Sequence, residues 1–543
     1  MRLTKDGVFN NREEWLEKGY VLPEFDIEEV TKNTLDNPEW IHFGAGNIFR
    51  AFQANLAQKL LDAGEMKSGI IAADGFDYEI ITKAYRPHDN LSLAVTLKAD
   101  GSIEKKIIAS IVETRTFDST DAEEFGRLKE IFSSPSLKLA TFTITEKGYS
   151  ITNQNGEVLE AIKADGEAGP ENAKSYMGKV AALLCERYKA GELPIAMVSN
   201  DNCSHNGDML KAAILFFAKE WTERGLAEKA FLDYVSDESK VSFPWTMIDK
   251  ITPRPDESVE KVLREDGVEE LEAVITSKKS YVAPFVNAEE SEYLVIEDKF
   301  PNGRPPLEKA GVYFTDKETV DKVEKMKVCT CLNPLHTSLA VFGCLLGYEK
   351  ISDEMKDEDL AKLVETVGYK EGLPVVVDPG IINPKDFIDT VLKVRVPNPF
   401  MPDTPQRIAT DTSQKLPIRF GETIKAYIAR DGLDATELNA IPLVLAGWIR
   451  YLLGVDDKGN AFTPSDDPLL ESSQEFVKGL ELKKYTIEEL EERVLPLLKN
   501  AKIFGVDLEE AGLKERVLNY LSELLDGEGA VRNTLHALAV SEK

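Results

Sequence analysis

The feature that most constrains the fold is a strand, a tight turn and a helix in quick succession between residues 39 and 61. This segment, EWIHFGAGNIFRAFQANLAQKLL, passes from a short apolar strand through a Gly-x-Gly turn into a helix. Four large apolar residues fall on one face of that helix: Phe49, Phe52, Leu56 and Leu60. Glycines in such a turn let the backbone approach a pyrophosphate, and the helix N-terminus stabilises its negative charge. The segment therefore predicts the opening of a Rossmann-like dinucleotide-binding fold.

The turn and the strand that follows supply the candidate cofactor-binding residues. In the turn and the first part of the helix these are Gly44, Gly46, Asn47, Phe49 and Arg50, with Phe49 in place of the third glycine of the usual fingerprint. A second strand, GIIAAD, ends at Asp74, where an acidic side chain would accept hydrogen bonds from the ribose hydroxyls of NAD. In the usual fingerprint the acidic residue follows the glycine turn by about 20 residues, and Asp74 follows it by more than that. Asp77 is the alternative for the same role.

Further strands follow before the pattern changes to helices. The segment at 91–117 indicates a hairpin around Ala-Asp-Gly-Ser, and those at 137–149 and 193–201 indicate buried strands of the same sheet as the first two. The last strand ends in a polar cluster where open α/β sheets bind ligands. That cluster is Ser199, Asn200, Asp201 and Asn202.

Beyond about residue 320, long amphipathic helices replace the strands. Two examples are AIPLVLAGWIRYLLG and LEEAGLKERVLNYLSELL. The chain of 543 residues also exceeds what one hydrophobic core usually organises. We therefore expect an α/β Rossmann-like domain over residues 1–320 and a mainly α-helical substrate-binding and catalytic domain over residues 321–543.

Charge limits the partners of this chain. Asp and Glu number 95 against 65 Lys and Arg, a formal net charge of −30, which repels nucleic acid and anionic lipid. The N-terminus lacks the apolar stretch of a signal peptide, and the apolar run at 339–348 is shorter than a membrane span. We expect a cytoplasmic monomer or small homo-oligomer that binds a small molecule, and neither nucleic acid nor membrane.

Cysteine and histidine usage predicts that no metal is bound. The five cysteines, at 185, 203, 329, 331 and 344, form no C-x-x-C pair, and the five histidines form no H-x-x-x-H pair. A C-x-C pair without further ligands at metal spacing cannot complete a tetrahedral site. We therefore interpret Cys329 and Cys331 as small apolar fillers in a reduced protein.

Four stretches in order resemble the family of polyol-specific long-chain dehydrogenases, which includes mannitol dehydrogenase, fructuronate reductase and tagaturonate reductase. They are FGAGNIFRAFQA at 43–54, TEKGY at 145–149, SNDNCSHNG at 199–207 with VSFPWTMIDKITP at 241–253, and KVCTCLNPLH at 327–336 followed by RIATDTSQKLPIR at 407–419. The resemblance covers most of the chain. It implies an NAD-dependent oxidoreductase that reduces D-fructuronate to D-mannonate reversibly and without a metal. Mannitol 2-dehydrogenase and tagaturonate reductase are the alternatives, and an inactive binding protein on the same fold is a remote one.

The same resemblance implies roles for individual residues. Lys327 would be the general acid/base that exchanges a proton with the substrate oxygen. Asn333 and Asn202 would hold that oxygen through their amides as negative charge develops on it. His336 would orient the neighbouring hydroxyl groups.

Further residues match the family's substrate-binding positions. Arg407 and Lys415 match its basic pair, and Arg395 is an additional candidate cation for a substrate carboxylate. Asp249 lies in the family's Val-Asp-Arg signature. Here Lys250 replaces the arginine of that signature and removes its planar guanidinium.

The spacing between lysine and asparagine departs from the family pattern. Five residues separate Lys327 from Asn333, whereas the family usually has four. On a regular helix the extra residue would turn Lys327 away from the catalytic face, so we predict either a π-bulge or a helix that begins only around Asn333, with Pro334 in its first turn. Lys325 is the alternative acid/base. We favour Lys327 because Glu324 precedes it by three residues, where the family places an acid.

Overall fold

The computed structural model describes residues 1–153 and 155–542, and the contacts within it divide the chain into two compact units. The first unit comprises Met1–Lys98 and Ser102–Asp321. The second comprises Lys322–Lys543 together with Ala99–Gly101.

The strands lie in the first unit. In chain order they are β1 (Tyr20–Val21), β2 (Trp40–Phe43), β3 (Ile70–Asp74), β4 (Ser92–Leu97), β5 (Ile103–Ile108), β6 (Ile111–Thr116), β7 (Leu139–Phe142), β8 (Ile195–Ser199), β9 (Val241–Ser242), β10 (Thr246–Asp249), β11 (Val274–Ile275), β12 (Tyr281–Val282), β13 (Phe285–Glu289), β14 (Tyr293–Glu297) and β15 (Tyr313–Thr315).

The central sheet has the strand order β6-β3-β2-β7-β8-β9, and every pairing in it is parallel. Numbered by their own sequence, these strands run 3-2-1-4-5-6, the order of dinucleotide-binding folds. The order reverses between β2 and β7, so a crevice is expected outside the carboxyl ends of these two strands. This sheet confirms the predicted Rossmann-like fold of the N-terminal part.

Two hydrophobic cores cover the faces of this sheet. Ile41 and Phe43 of β2 belong to one core, whereas Trp40 and Ile70 belong to the other. Strands buried on both faces have nearly continuous apolar sequences, which is why they could be located from composition.

The predicted hairpin is confirmed, but it lies outside the central sheet. Strands β4 and β5 pair antiparallel, with Ser92 opposite Ile108, and belong to a sheet of order β1-β5-β4-β13. The end of the same sequence segment forms β6, an edge strand of the central sheet. Smaller sheets pair β10-β14-β15 and β11-β12.

Helices of the first unit connect and cover these strands. They are α1 (Lys5–Asn10), α2 (Arg12–Glu17), α3 (Ile27–Asp36), α4 (Ala54–Asp62), α5 (Tyr78–Ile80), α6 (Ala122–Phe132), α7 (Glu160–Ala168), α8 (Tyr176–Lys189), α9 (Asn206–Glu223), α10 (Lys229–Ser236) and α11 (Glu257–Glu265). Side-chain oxygens cap several of their N-termini, as Asp26 does for α3 and Asp121 for α6.

The second unit is helical, as predicted. Its α-helices, the first of which begins just before the unit boundary, are α12 (Lys317–Lys325), α13 (Asn333–Leu346), α14 (Ile351–Glu354), α15 (Glu358–Glu365), α16 (Pro384–Thr390), α17 (Pro405–Ala409), α18 (Thr412–Leu416), α19 (Glu422–Ala429), α20 (Ala440–Tyr451), α21 (Leu470–Gln474), α22 (Ile487–Leu498), α23 (Ala501–Phe504), α24 (Lys514–Leu524) and α25 (Ala530–Ser541). Helix α20 is buried throughout and packs against α13 and α24. The helix expected from residue 508 begins only at Lys514, because Gly512 adopts a left-handed conformation (φ +73°) before it.

Short helices of other types interrupt both units. The π-helical segments are Phe49–Gln53, Ile81–Tyr85, Met326–Cys331, Thr366–Gly372, Val391–Arg395 and Pro417–Gly421. The 3₁₀ segments are Arg86–His88, Glu146–Tyr149, Pro170–Asn172, Leu307–Ala310, Leu373–Val375 and Ala435–Glu437. Four of the π segments lie in the second unit, where most of the predicted catalytic and substrate-binding residues are found, and such turns are frequent at functional sites.

One helical stretch within the described residues, Lys317–Leu346, is long and apolar enough to cross a membrane by length and composition alone. Of its apolar window, 78% is buried inside the protein. A buried core helix passes the same test of length and composition.

Candidate active site

The glycine turn lies at the point where the strand order of the central sheet reverses. Gly44 has a positive φ of +102°, and a Cβ atom there would lie 2.1 Å from the carbonyl oxygen of Thr143, at the end of β7. Only glycine fits this approach of two strand ends. Gly46 faces open space, because no atom lies within 4 Å of the position that its Cβ would take. The turn thus provides room beside the backbone, as a bound dinucleotide requires.

A buried cation lies directly after this turn. Arg50 is 1% exposed, and its guanidinium donates to the carbonyl oxygen of Ala283 at 2.7 Å and to Asn47 Oδ1 at 2.9 Å. Among the described residues no carboxylate pairs with it, its Nε has no partner, and burial lowers its pKa. A buried charge without a counter-ion is costly. The phosphates of a dinucleotide would supply that counter-ion, so the residues present fit the cofactor.

Phe49 contributes to the core rather than to the surface of the turn. Its ring is fully buried and stacks on the ring of His42, with 4.1 Å between the centroids. Both ring nitrogens of His42 are hydrogen-bonded, to the hydroxyls of Thr141 and Thr143 at 2.7 and 2.8 Å. Burial lowers the pKa of His42 to about 3, so this histidine is neutral and structural.

Asp74 ties the second strand to the glycine turn. Its Oδ2 accepts from the amide of Ala45 at 2.9 Å, and its Oδ1 accepts from the amides of Phe76 and Asp77 at 2.9 and 2.8 Å. Burial raises the pKa of Asp74, and the three amides oppose that shift. A carboxylate offers about four acceptor positions, so one remains for a ribose hydroxyl.

Asp77 has a different role. Its Oδ1 accepts from the amide of Glu79 at 3.3 Å and so caps α5, and its Oδ2 accepts from the hydroxyl of Thr276. The side chain is 1% exposed. These contacts make Asp77 a structural residue and leave Asp74 as the better candidate for ribose binding.

The polar cluster after β8 mainly shapes the neighbouring loop. Asp201 accepts from the amides of Ile144 and Thr145, both at 2.9 Å, and from the hydroxyl of Tyr149 at 2.6 Å. Thr145 is held at a φ of +63°, which is rare for a residue other than glycine. Asp201 therefore fixes the TEKGY loop beside the crevice. Asn202 is exposed on the turn that follows β8.

Asn206, which the sequence did not single out, anchors the same turn. Its amide donates to the carbonyl oxygen of Asp201 at 3.0 Å and to Thr246 Oγ1 at 2.8 Å, and its Oδ1 accepts from the amide of Thr246 at 3.0 Å. The residue is fully buried. An asparagine at the start of a helix is common as a cap, so its sequence position carried no signal of this role.

The Ile-Asp-Lys segment lies at the end of β10. Asp249 is 5% exposed as the last residue of that strand. The Nζ of Lys250 donates to Glu292 Oε2 and to the carbonyl oxygen of Glu289, both at 2.8 Å. The lysine that replaces the family's arginine is therefore held in a local ion pair.

The backbone around Lys327 confirms the predicted irregularity. A π-helical segment covers Met326–Cys331, where the amide of Leu332 donates to the carbonyl oxygen of Lys327 at 3.1 Å, five residues back. Helix α13 then begins at Asn333 with Pro334 in its first turn. Both of the predicted departures from α geometry are present. Lys327 is 4% exposed, whereas Lys325 is exposed at the end of α12, so burial favours Lys327 as the acid/base.

Asn333 and His336 lie one turn apart at the start of α13. The Nε2 of His336 lies 3.9 Å from Asp403 Oδ2, and the His336 side chain is 13% exposed. Arg419 reaches the same turn, because its Nη1 donates to the carbonyl oxygen of Asn333 at 3.4 Å and to the hydroxyl of Thr337. The helix thus carries the predicted asparagine and histidine with a cation beside them.

The predicted basic pair is already engaged within the second unit. Arg407 is 61% exposed and forms an ion pair with Asp403. The Nζ of Lys415 donates to the carbonyl oxygens of Ile408, at 3.0 Å, and of Thr410. Arg395 is 5% exposed, in the π-helical segment Val391–Arg395.

Sequence reasoning missed Arg419. It lies four residues after Lys415 in the stretch KLPIR, a spacing that places both side chains on one helical face. That spacing was the available signal. The pairing of Arg407 with Asp403, and the lack of such an acid at Arg419 among the described residues, are visible only in three dimensions.

The cysteines are the residues on which a metal or redox centre would depend. None of the five cysteines forms a disulfide bond, and burial raises the pKa of the Cys331 thiol. Within residues 1–153 and 155–542, no group of three or more His, Cys, Asp or Glu side chains is arranged to hold a metal ion.

Comparison with known proteins matches both halves of the chain. A family model described as the mannitol dehydrogenase Rossmann domain matches residues 38–309, and one described as the mannitol dehydrogenase C-terminal domain matches residues 319–525. The sequence is 52% identical to the D-mannonate oxidoreductase of Thermotoga maritima, over 100% of both proteins.

Solved structures give the same result. The chain resembles the Pseudomonas fluorescens mannitol 2-dehydrogenase ternary complex with NAD and D-mannitol, with a TM-score of 0.67, 28% identity and coverage of 99% of each chain. It also resembles a substrate-free D-sorbitol dehydrogenase, with a TM-score of 0.77, 26% identity and coverage of 94% and 97%. The protein is therefore an oxidoreductase acting on CH–OH groups. It belongs to the mannitol dehydrogenase family, as the sequence resemblance predicted.

Proposed function

We propose that this enzyme interconverts D-fructuronate and D-mannonate with NAD as cofactor. The observation that carries the proposal is the 52% identity with a D-mannonate oxidoreductase over the whole length of both proteins. The broader activity, oxidation and reduction of a polyol or sugar acid, follows from family membership.

The first unit is proposed to bind the cofactor. The space beside Gly46 and the uncompensated charge of Arg50 suit the pyrophosphate, and the remaining acceptor position of Asp74 suits a ribose hydroxyl. When bound, NAD supplies the hydride acceptor or donor at its nicotinamide ring.

The residues singled out by the family resemblance are proposed to handle the proton and the developing charge. Lys327 gives a proton to the carbonyl oxygen during reduction and takes it back during oxidation. The amides of Asn333 and Asn202 stabilise negative charge on that oxygen, and His336 orients an adjacent hydroxyl. Asp249 completes the proposed set. Since none of these steps needs a Lewis acid, the reaction is proposed to be independent of metal ions.

The family also contains the second candidate activity, reduction of fructose to mannitol. The match to a mannitol 2-dehydrogenase complex over 99% of both chains favours it. Tagaturonate reduction ranks next, and an inactive binding protein on this fold is the remote alternative. A carboxylate needs a cation at the far end of the substrate and a hydroxymethyl group does not, so the basic residues favour the sugar acid.

A substrate panel tests the proposal. Purified protein is mixed with NADH and, separately, D-fructuronate, D-tagaturonate and D-fructose, and the absorbance of NADH is followed. We expect the highest kcat/KM with D-fructuronate and a loss of turnover in Lys327→Ala. A higher kcat/KM with D-fructose would assign the mannitol activity, and absence of turnover with every substrate would favour the binding protein.

The compartment, the partners and the oligomeric state of the enzyme are also proposals. The net charge of −30 supports a protein that binds neither nucleic acid nor anionic membranes. We propose a cytoplasmic enzyme that acts as a monomer or a small homo-oligomer.

A further inference from the structure

Arg419 lies beside the proposed catalytic face of α13. It belongs to the π-helical segment Pro417–Gly421, and its Nη1 is anchored on the carbonyl oxygen of Asn333 and the hydroxyl of Thr337. Asn333, His336 and Thr337 are spaced i, i+3 and i+4, which places them on one face of the helix. The guanidinium of Arg419 is therefore held on the face that carries the proposed substrate-binding asparagine and histidine.

The rest of this guanidinium has no partner. Among the described residues no carboxylate lies within ion-pair distance of Arg419, and its Nε and Nη2 make no hydrogen bond. Neither of these two atoms is fully buried, so each can still meet a hydrogen-bond acceptor. The Nε–Nη2 edge is a pair of parallel donors, the geometry that binds a carboxylate through both of its oxygens.

A second cation, Lys415, lies near Arg419. Burial lowers the pKa of Arg419 to about 10, and no acid offsets the shift. Burial also lowers the pKa of Lys415 to about 8, and the charge of Arg419 lowers it further, while Asp411 and Asp467 oppose the shift. A bound anion would stabilise the charged form of both residues.

Arg407 and Lys415 are less suited to hold that anion directly. The charge of Arg407 is already neutralised by Asp403, and its side chain is 61% exposed. Two bonds of Lys415 go to backbone carbonyl oxygens. Arg419 is thus the cation of this group with an open pair of donors.

We infer that Arg419 binds the carboxylate of the sugar acid through its Nε–Nη2 edge and so sets the preference for uronates over uncharged ketoses. This inference rests on the proposed function. In D-fructuronate four carbon–carbon bonds of about 1.5 Å separate the carboxyl carbon from the ketone carbon, a span of roughly 5 Å. The Arg419 guanidinium donates to the backbone carbonyl oxygen of Asn333 at 3.4 Å, so the anchor for the carboxylate lies beside the residue whose amide is proposed to hold the ketone oxygen.

The test compares two substrates that differ at one end. KM is measured for D-fructuronate and for D-fructose, which has a hydroxymethyl group in place of the carboxylate, in wild type, Arg419→Met and Arg419→Lys. We expect the ratio of KM for fructuronate to KM for fructose to rise about 10- to 100-fold in Arg419→Met, since a paired charge-assisted contact is lost. Lysine keeps the charge without the paired donors, so the rise should be smaller in Arg419→Lys.

Arg430→Met is the matched control. Like Arg419, Arg430 makes two hydrogen bonds, in this case to the backbone carbonyl oxygens of Pro374 and Val375, but it is exposed and directly follows α19. Its substitution should leave the ratio of the two KM values unchanged. An equal rise of both KM values in Arg419→Met, or a shift of the ratio in Arg430→Met, would overturn the inference.

A binding measurement separates this inference from the proposed function. The rise in melting temperature caused by D-mannonate and by D-mannitol is measured in each variant, which needs no turnover. We expect the mannonate shift to disappear selectively in Arg419→Met. Thr337→Val removes one hydrogen bond that holds Arg419, so it should reduce the mannonate shift in part. If Arg419→Met does not fold, Thr337→Val and Arg419→Lys provide the test. A wild type that binds mannonate through Arg419 but does not turn over fructuronate would refute the proposed function alone, whereas a mannonate shift that survives in all variants would refute the inference.

Discussion

The choice between NAD and NADP should depend on Asp74. Its carboxylate accepts hydrogen bonds from the amides of Ala45, Phe76 and Asp77. Truncation to alanine would leave three amides without their partner, at about 1–3 kcal/mol for each that stays buried. That total is comparable with the whole stability of a domain, about 5–15 kcal/mol. Asp74→Asn is the better variant, because it keeps the acceptor at Oδ1 and loses only the bond to Ala45.

The expected magnitude follows from charge. A 2′-phosphate placed about 4 Å from the Asp74 carboxylate would be repelled by about 4 kcal/mol per pair of unit charges at an effective dielectric constant of 20. We therefore expect wild-type kcat/KM to favour NADH over NADPH by at least about 100-fold, since each 1.4 kcal/mol is tenfold. In Asp74→Asn this preference should fall at least tenfold. The efficiency with NADH should fall as well, because a charge-assisted bond to the ribose is lost.

Steady-state kinetics with both cofactors, together with the melting temperature, test this reasoning. Asp77→Asn is the control, because Asp77 caps α5 and bonds Thr276 rather than facing a ligand. It should lower the melting temperature without changing the ratio of cofactor efficiencies. An unchanged ratio in Asp74→Asn, or a changed ratio in Asp77→Asn, would show that the carboxylate of Asp74 does not select the cofactor.

Three further predictions concern catalysis, metal dependence and acid stability. Lys327→Ala should lower kcat by about 10²- to 10⁴-fold, the usual contribution of general acid–base catalysis, while Lys325→Ala should retain activity. The reverse pattern in kinetic assays would make Lys325 the acid/base. Activity should survive exhaustive chelation, and turnover that is lost to a chelator and restored by zinc would contradict metal independence. Replacing both Cys329 and Cys331 by alanine should lower the melting temperature rather than kcat. Burial lowers the pKa of His42 to about 3, whereas its pKa in the unfolded chain is about 6.5. The folded protein therefore keeps its full stability above about pH 6.5 and loses stability as the pH falls from about 6.5 toward about 3, because only the unfolded chain then protonates this histidine. Between about pH 7.5 and 4.5 the free energy of unfolding of wild type should fall by up to about 3 kcal/mol more than that of His42→Gln, measured by urea unfolding; parallel losses would refute the assignment.

The strands could be predicted from sequence because burial on both faces leaves a continuous apolar signal. This is why β2, β3, β7 and β8 were located correctly. The π-helical segment near Lys327 was one of two alternatives predicted from the departure from the family's spacing. The sheet to which a hairpin belongs depends on pairing with distant strands, such as β4 with β13, so that assignment required the structure.

Side-chain roles were harder to predict than the positions of the residues. The cluster after β8 was located correctly, yet Asp201 bonds the neighbouring loop. In the same way, the resemblance matched Arg407 and Lys415 to the family's basic pair, and only the position of Asp403 shows that the charge of Arg407 is already paired. Local sequence indicates which residues are polar, whereas the identity of each partner depends on the whole fold.

The π-helical segment Met326–Cys331 affects how mutations are transferred between related enzymes. A π-turn closes its hydrogen bonds five residues apart instead of four, so it takes in one inserted residue without rotating the helix beyond it. The family's usual interval, counted back from Asn333, ends at Val328, although the lysine stands one position earlier, at Lys327. A sequence alignment that leaves no gap for the extra residue would pair the lysine of a relative with Val328. Substitutions designed on another member should therefore be placed in this chain by their position on the helix surface.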